Sequence, residues 1–273
     1  MYQEWSSKDK SVRAYGAQKF VNLISEDLRD QINYSVENST IYERKNILSW
    51  QPCEDMRIFL AKGTTQRAIN ILRQQIGPET SICALNYASY KNPGGRFMDG
   101  SKAQEEALCA SSILYPVLKS FEDSYYAENQ KHLNKGMYLD RAIYSPEIVF
   151  CDYERKQSVR VDILTCAAPN YSVALKYNNF TRQQNMEALS NRIKFMYGIV
   201  ANELVDTFIT GAWGCGVFRQ DPIEVARLMI NLALKAKPVH NLIFAVPANQ
   251  YDSVNYDAFQ SELREWAPDF IAI

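Results

Sequence analysis

Apolar positions along the chain follow two spacings, and each spacing predicts a different kind of element. Apolar residues at helical spacing predict helices over 11–34, from Gly63 onwards, over about 102–115, over 181–201, from Asp221 onwards and over 255–265. Short apolar runs and alternation predict strands at 82–87, 149–150, 159–163, 207–211 and 242–246. The polar, tyrosine-rich stretch 120–145 is interpreted as a long, partly helical excursion, that is, a connecting segment outside the sheet. Because strands alternate with helices, we expect a largely parallel or mixed sheet covered on both faces.

Composition narrows the class of protein. The 273 residues are 47% apolar and 22% charged with a net charge of -1, which is typical of a globular protein without the positive field of a general nucleic-acid binder. No apolar run approaches a membrane span, and no secretory signal is visible, so we expect no membrane partner. Six cysteines without a C-x-x-C pair and two histidines favour reduced thiols, a cytoplasmic location and no metal site.

The most informative segment, 86–106, joins a predicted buried strand to a helix. Ligands of open α/β sheets bind at the carboxyl ends of strands. Gly94 and Gly95 permit positive φ and a close approach of the backbone to a ligand such as a diphosphate. The alternative is purely structural: Pro-Gly-Gly is a common turn, Ser101-x-x-Gln104 fits a capping box, and glutamates are favoured in a first helical turn.

A second glycine-rich junction follows the strand predicted at 207–211. Gly211, Gly214 and Gly216 suit contact between phosphate and backbone amides, although such a string is a weak signal and a tight turn is its usual explanation. Asp221-Pro222 then predicts an N-cap followed by proline at the first helical position. Cys215 is interpreted as a small loop residue and not a nucleophile, because no histidine lies near it in the sequence.

Both junctions resemble the signature loops of microbial poly(ADP-ribose) glycohydrolases. The first loop matches through Asn86, Ala88, Asn92, Pro93, Gly94, Gly95 and the triplet Gln104-Glu105-Glu106. The second matches the family string Gly-Ala-Trp-Gly-Cys-Gly-x-Phe-x-x-Asp-Pro from Gly211 to Pro222. Weaker matches to the same family lie at 63–65, 144–146, 165–170 and 243–246, so the resemblance spans about residues 10–260.

The resemblance implies a macrodomain-like fold. This is an α/β, three-layer α/β/α sandwich with a mixed central sheet, here with an N-terminal helical extension. We expect residues 1–273 to form a single domain, in which 1–50 are a helical accessory region.

The resemblance also implies a function and a site. It assigns the catalytic acid to Glu106 and contact with the neighbouring ribose to Glu105. The implied ligand-binding residues are Asn86, Ala88, Asn92, Gly94, Gly95, Arg96, Gln104, Gly211, Gly214, Cys215, Gly216, Val217 and Phe218. The expected partners are ADP-ribose, poly(ADP-ribose) or an ADP-ribosylated macromolecule, with no cofactor. Asn86 is equally well interpreted as the polar cap of a strand end.

One position departs from the family pattern, because Arg96 replaces the third glycine of its triplet. The side chain either clamps a phosphate or blocks the catalytic geometry. The sequence therefore leaves two alternatives to a polymer hydrolase. One is a non-catalytic module that binds or senses ADP-ribose or a related nucleotide. The other is a hydrolase for a smaller derivative, such as a mono-ADP-ribosyl conjugate or phosphorylated ADP-ribose.

Overall fold

An eight-stranded mixed sheet lies at the centre of the computed structural model, which describes residues 2–77, 79–152, 157–177 and 180–273. Its strands are β1 Thr40–Glu43, β2 Arg57–Lys62, β3 Ile82–Tyr87, β4 Arg141–Asp152, β5 Gln157–Cys166, β6 Thr207–Thr210, β7 Asn241–Val246 and β8 Ile271–Ala272. They lie in the order β1-β4-β5-β3-β6-β7-β2-β8. All neighbouring strands are parallel except for β4, which is antiparallel to both β1 and β5.

Helices cover both faces of the sheet. They are α1 Tyr2–Ser6, α2 Lys10–Asp27, α3 Arg29–Asn38, α4 Thr65–Gln75, α5 Gln104–Cys109, α6 Leu114–Lys119, α7 Ala127–Lys131, α8 Tyr171–Tyr177, α9 Arg182–Asn202, α10 Pro222–Ala236 and α11 Val254–Trp266. Successive residues of β3 alternate between two cores: Cys83 and Leu85 pack with α9 and α10, whereas Ile82 and Ala84 pack on the opposite face. The expected three-layer α/β/α sandwich is confirmed.

The N-terminal region is helical, as its apolar spacing predicts. It consists of α2 and α3, separated at Leu28, and their buried Phe20, Ile24 and Ile32 pack into the core on one face of the sheet. Asp9 caps α2 by accepting a hydrogen bond from the Ser11 N–H. The chain then enters β1, which pairs antiparallel with β4, so this region extends the central sheet.

The predicted helix over 102–115 is wrong as a continuous element. It divides into α5 and α6, because the Ser111 and Ser112 hydroxyls donate to backbone carbonyls of α5 and Ser112 pairs with Phe150 of β4. The Ser101–Gln104 capping box is also absent, since α5 has Ala103 as its N-cap and no side-chain cap.

Smaller differences occur elsewhere. The excursion at 120–145 does contain a helix, α7, but β4 already begins at Arg141. The short edge strands β1 and β8 and the inner strand β2 were not predicted. None of the helices in the described ranges combines the length and apolarity needed to cross a bilayer.

Candidate active site

A cavity of 460 Å³ opens where four parallel strands, β2, β3, β6 and β7, reach their carboxyl ends. Its walls are formed by Thr64, Thr65, Gln66, Tyr87, Ala88, Ala103, Gln104, Ala107, Leu108, Ala168, Ala212, Trp213, Gly214, Gly216, Val217, Phe218, Ala245, Pro247 and Asn255. Most of these residues are apolar or present backbone, with polar groups at few points. A concave, largely apolar cavity of this size suits a small organic ligand that has a few polar contacts.

Gln104 ties the start of α5 to the sheet. Its Oε1 accepts a hydrogen bond of 2.8 Å from the Tyr87 N–H, and its Nε2 donates to the Leu85 carbonyl at 2.7 Å. The same amide nitrogen donates to Thr65 Oγ1 at 3.1 Å. Because one side chain contacts two strand-end segments, the first turn of α5 is fixed against the cavity wall.

Glu105 is buried at the end of β3 and holds the first loop. Its Oε1 accepts from Asn86 Nδ2 at 3.1 Å, and its Oε2 accepts from the Ser89 N–H at 2.7 Å. Burial raises the pKa of the Glu105 carboxyl to about 8, because desolvation disfavours the charged form more than the two donors favour it; the neighbouring Glu106 adds to the rise. Asn86 also donates to Thr165 Oγ1 at 3.3 Å, so this amide links β3, β5 and α5.

Glu106 is the second buried carboxyl, with 7% of its surface exposed. Its Oε1 accepts a hydrogen bond of 3.0 Å from the Arg96 N–H, whereas its Oε2 is buried and has no hydrogen-bond partner in the described part of the chain. Buried polar atoms are nearly always paired, so an unpaired carboxylate oxygen marks a site for a ligand or water. The carboxyl is therefore oriented by one oxygen and available through the other.

The two glycines of the first loop make this arrangement possible. Gly94 and Gly95 have φ of +64° and +62°, a region that side chains disfavour. A Cβ on Gly95 would lie 2.6 Å from Glu106 Oε1 and 2.9 Å from Glu105 Oε2, so only glycine allows both carboxyls to approach this turn.

The N-terminal helices support the same loop from behind. Arg13 of α2 donates through Nε to the Gly100 carbonyl at 2.7 Å, and the Trp5 ring lies 5.7 Å from the Phe97 ring. Gly100 itself has a φ of +73°, and a Cβ there would lie 2.2 Å from the Lys10 carbonyl oxygen. The loop that orients Glu106 is thus packed against α1 and α2.

Arg96 contributes backbone to the site and points its side chain away from it. The guanidinium pairs with Asp99 through an Nε–Oδ2 contact of 2.9 Å, and 67% of the side chain is exposed. Arg96 does not belong to the cavity wall, and its φ is not positive. In this conformation the side chain neither clamps a ligand in the cavity nor blocks it, and no backbone strain demands glycine at this position.

The second loop presents free backbone amides to the cavity. Gly214 has a φ of +81°, and a Cβ there would lie 2.9 Å from the Ala168 Cβ, whereas a Cβ on Gly216 would meet open space. Within the described ranges, the N–H groups of Gly214, Gly216 and Val217 have no hydrogen-bond acceptor. Asp221 caps α10 by accepting from the N–H groups of Ile223 and Glu224, as its sequence predicts.

Gly211 and Cys215 also belong to this loop. A Cβ on Gly211 would lie 2.4 Å from the Ala245 carbonyl oxygen, so this glycine allows β6 and β7 to close together. Burial raises the pKa of the Cys215 thiol to about 12, which keeps it protonated at neutral pH. A protonated thiol is a poor nucleophile, which is consistent with Cys215 as a small loop residue.

The structure brings the two predicted loops together around one cavity. Six of the residues predicted from the sequence line its wall: Ala88, Gln104, Gly214, Gly216, Val217 and Phe218. Asn86, Gly95, Glu105 and Glu106 adjoin it through the contacts described above, whereas Asn92 and Arg96 lie at the exposed surface of the loop. Sequence analysis missed the wall residues Gln66, Leu108, Trp213, Pro247 and Asn255. Of these, only Trp213, which falls within the second signature string, carried a signal in the sequence.

Comparisons with known proteins agree with this arrangement. The family model described as Microbial-type PARG, catalytic domain, matches residues 10–152. The crystal structure of poly(ADP-ribose) glycohydrolase from Thermomonospora curvata is 26% identical, with a TM-score of 0.81 over 92% of this chain and 98% of the other. The same enzyme bound to the inhibitor ADP-HPD is 27% identical, with a TM-score of 0.80 over 91% and 98%.

A second species gives a similar result. Poly(ADP-ribose) glycohydrolase from Deinococcus radiodurans in complex with ADP-ribose is 30% identical, with a TM-score of 0.74 over 86% of this chain and 97% of the other. None of the curated proteins searched matches the sequence.

Proposed function

The chain belongs to the microbial-type poly(ADP-ribose) glycohydrolase family, and from that premise we propose that it binds ADP-ribose in the cavity and hydrolyses the ribose O-glycosidic bond with Glu106 as the general acid and base. The observation that carries this proposal is the state of Glu106. One carboxyl oxygen is fixed by the Arg96 N–H, and the other is buried and unpaired.

Binding rests on the two loops and the apolar wall. The free N–H groups of Gly214, Gly216 and Val217 suit the oxygens of a diphosphate, because several amides can donate to one anion without a counter-charge. Apolar wall residues at the end of β7, such as Ala245 and Pro247, suit the flat face of an adenine. This division leaves the distal ribose beside α5 and the first loop, where Glu106 lies.

Catalysis then needs two proton transfers, both at the Glu106 carboxyl. The Glu106 carboxylic acid gives its proton to the glycosidic oxygen as the bond from that oxygen to the anomeric carbon breaks. The departing chain leaves as an alcohol, and an oxocarbenium-like ribose remains. The Glu106 carboxylate next takes a proton from water as the water oxygen bonds to the anomeric carbon, which restores the acid and releases ADP-ribose.

Glu105 serves this step by fixing the geometry. With a pKa of about 8, it holds a proton at neutral pH, so it places little negative charge beside Glu106. Its hydrogen bonds to Asn86 and Ser89 keep β3, the first loop and α5 in register. Both carboxyls thus act on the same ribose, one through proton transfer and the other through support.

The test replaces Glu106 with glutamine. The amide oxygen of the introduced glutamine can still accept from the Arg96 N–H, so Glu106→Gln keeps the fold but removes the proton. We expect turnover of poly(ADP-ribose) to fall by about 10²–10⁴-fold, the usual scale of general acid–base catalysis. ADP-ribose affinity, measured by calorimetry, should change little. Undiminished turnover in the folded variant would exclude Glu106 as the acid.

Assays of product release by the wild-type protein also distinguish the proposed function from the two alternatives. A protein that binds ADP-ribose but releases no product from polymer or from mono-ADP-ribosylated protein would be a binding module. Release from mono-ADP-ribosylated protein alone would identify a hydrolase for the smaller substrate. We further propose a cytoplasmic site of action, in keeping with six free cysteines.

A further inference from the structure

Three aromatic rings form a cluster at the edge of the cavity. Phe218, a wall residue, packs edge-on against Tyr138 with ring centroids 6.2 Å apart, and Tyr138 stacks on Tyr90 at 4.1 Å. Tyr90 and Tyr138 are buried, so the cluster joins three segments of chain and is not itself a stacking surface. It fixes the positions of the neighbouring residues in those segments relative to Phe218.

A basic residue accompanies each ring. Lys91 directly follows Tyr90, Arg219 directly follows Phe218, and Lys135 precedes Tyr138 by three positions. All three basic residues are exposed. None of their side chains has an ion pair or hydrogen bond to any residue that the structure describes.

Hydrogen bonds to their backbone carbonyls hold the segments that carry these cations. The Lys91 carbonyl accepts from Gln130 Nε2 at 2.9 Å, on the α7 side of the cluster. Gly136, next to Lys135, accepts from the Asn170 N–H at 2.7 Å, and Phe218 accepts from the Ser172 N–H at 3.0 Å. Since Asn170 and Ser172 are two residues apart, Lys135 and Arg219 flank the same short segment.

Two acidic groups near the cluster are paired with cations, whereas Asp221, two residues from Arg219, accepts from the backbone N–H groups of Ile223 and Glu224. Glu128 is paired with Lys131 and His132, each at 2.9 Å. Asp140 is paired with Arg44 and with the buried Arg192. The unpaired cations therefore produce a local positive potential on a chain whose net charge is -1.

Two of the three cations occupy unfavourable backbone positions. Lys135 has a φ of 50° and Arg219 a φ of 56°, in the left-handed region where glycine or asparagine is the usual residue. Long basic side chains at such positions are therefore costly to retain, and costs of this kind cluster at functional sites.

We propose that Lys91, Lys135 and Arg219 form a basic rim that binds the diphosphate of the next ADP-ribose unit of a polymer while the terminal unit occupies the cavity. The inference rests on the proposed function and identifies its substrate class as the polymer. Free ADP-ribose fills the cavity alone, whereas the second unit brings two further negative charges to the mouth near Phe218. Cations there would attract polymer in a salt-dependent manner and leave the monomer unaffected.

The test compares two triple variants in a Glu106→Gln background, which prevents turnover during binding. The first carries Lys91→Gln, Lys135→Gln and Arg219→Gln. The control carries Lys194→Gln, Lys235→Gln and Arg264→Gln, which removes the same charge from exposed positions on α9, α10 and α11. Glutamine retains a side chain of similar length at every position. Affinity for free ADP-ribose, for poly(ADP-ribose) of defined length and for a mono-ADP-ribosylated protein is measured at several salt concentrations.

The rim variant should bind polymer about tenfold more weakly than the control at low salt and bind free ADP-ribose equally well. Its slope of log affinity against log salt should be shallower by about 1.4, since contacts with the two phosphates of one diphosphate are lost. Equal polymer affinity in the two variants would overturn the rim. Weakened binding of the mono-ADP-ribosylated protein alone would also overturn it, in favour of a protein-docking surface. Failure of the control protein to bind free ADP-ribose would instead refute the proposed function.

Discussion

Gly214 and Gly216 lie two residues apart in the second loop, and they predict opposite responses to the same substitution. An alanine at position 214 would have to keep the backbone φ of +81°. Its Cβ would lie 2.9 Å from the Ala168 Cβ. The left-handed conformation costs roughly 1–2 kcal/mol, and overpacking adds about 1–3 kcal/mol. We therefore expect Gly214→Ala to reduce the free energy of unfolding by about 2–5 kcal/mol, whereas Gly216→Ala should change it by about 0.5 kcal/mol or less.

Ligand binding provides the second half of this prediction. Because a Cβ on Gly216 meets open space, Gly216→Asp should fold and place a carboxylate beside the proposed diphosphate. Two like charges about 4 Å apart repel by about 1 kcal/mol in water and about 4 kcal/mol at the effective dielectric of a protein surface. ADP-ribose affinity should therefore fall by roughly 5-fold to 10³-fold.

The assay pairs thermal unfolding with calorimetric titration of ADP-ribose. Gly216→Asn is the matched control, since asparagine has the shape of aspartate without the charge. Gly216→Asn should bind ADP-ribose more tightly than Gly216→Asp, and the gap should narrow as salt is added. Equal affinities of the aspartate and asparagine variants would remove the diphosphate from the second loop. Equal melting temperatures of the two alanine variants would show that the reasoning about Gly214 is mistaken.

Two other predictions concern the first loop. Burial raises the pKa of Glu105 from 4.5 to about 8, so between these pH values the folded state keeps a proton that the unfolded chain loses. The stability that this proton contributes is complete below pH 4.5 and is lost as pH rises through about 8. Unfolding from pH 6 to 9 should show stability declining, by up to about 1.4 kcal/mol per pH unit, and a decline just as steep in Glu105→Gln would contradict this origin. Arg96→Gly removes only an exposed ion pair with Asp99, so calorimetry should find an ADP-ribose affinity within about twofold of the wild type. A larger loss of affinity would support the interpretation of Arg96 as a phosphate clamp.

Local patterns were enough to predict most of the regular elements. The run Ile82–Tyr87 forms a strand with those bounds, since a short apolar run flanked by polar residues is buried on both faces of a parallel sheet. Asp221-Pro222 begins α10, because capping depends only on residues within one turn. The failures include the division of 102–115 and the edge strands β1 and β8. These features involve pairing with distant residues such as Phe150, which no local pattern reports.

The sequence by itself determined the family, the two loops and the identity of the two carboxyls, because these depend on residue types at fixed spacing. The tertiary structure decided where each side chain lies and which groups it contacts. It distinguished the two carboxyls: Glu105 accepts hydrogen bonds from two donors, whereas one oxygen of Glu106 is unpaired. It turned Arg96 outward toward Asp99, and it brought Lys91, Lys135 and Arg219 beside one aromatic cluster. Such roles follow from distances between segments remote in the chain, which only the folded chain determines.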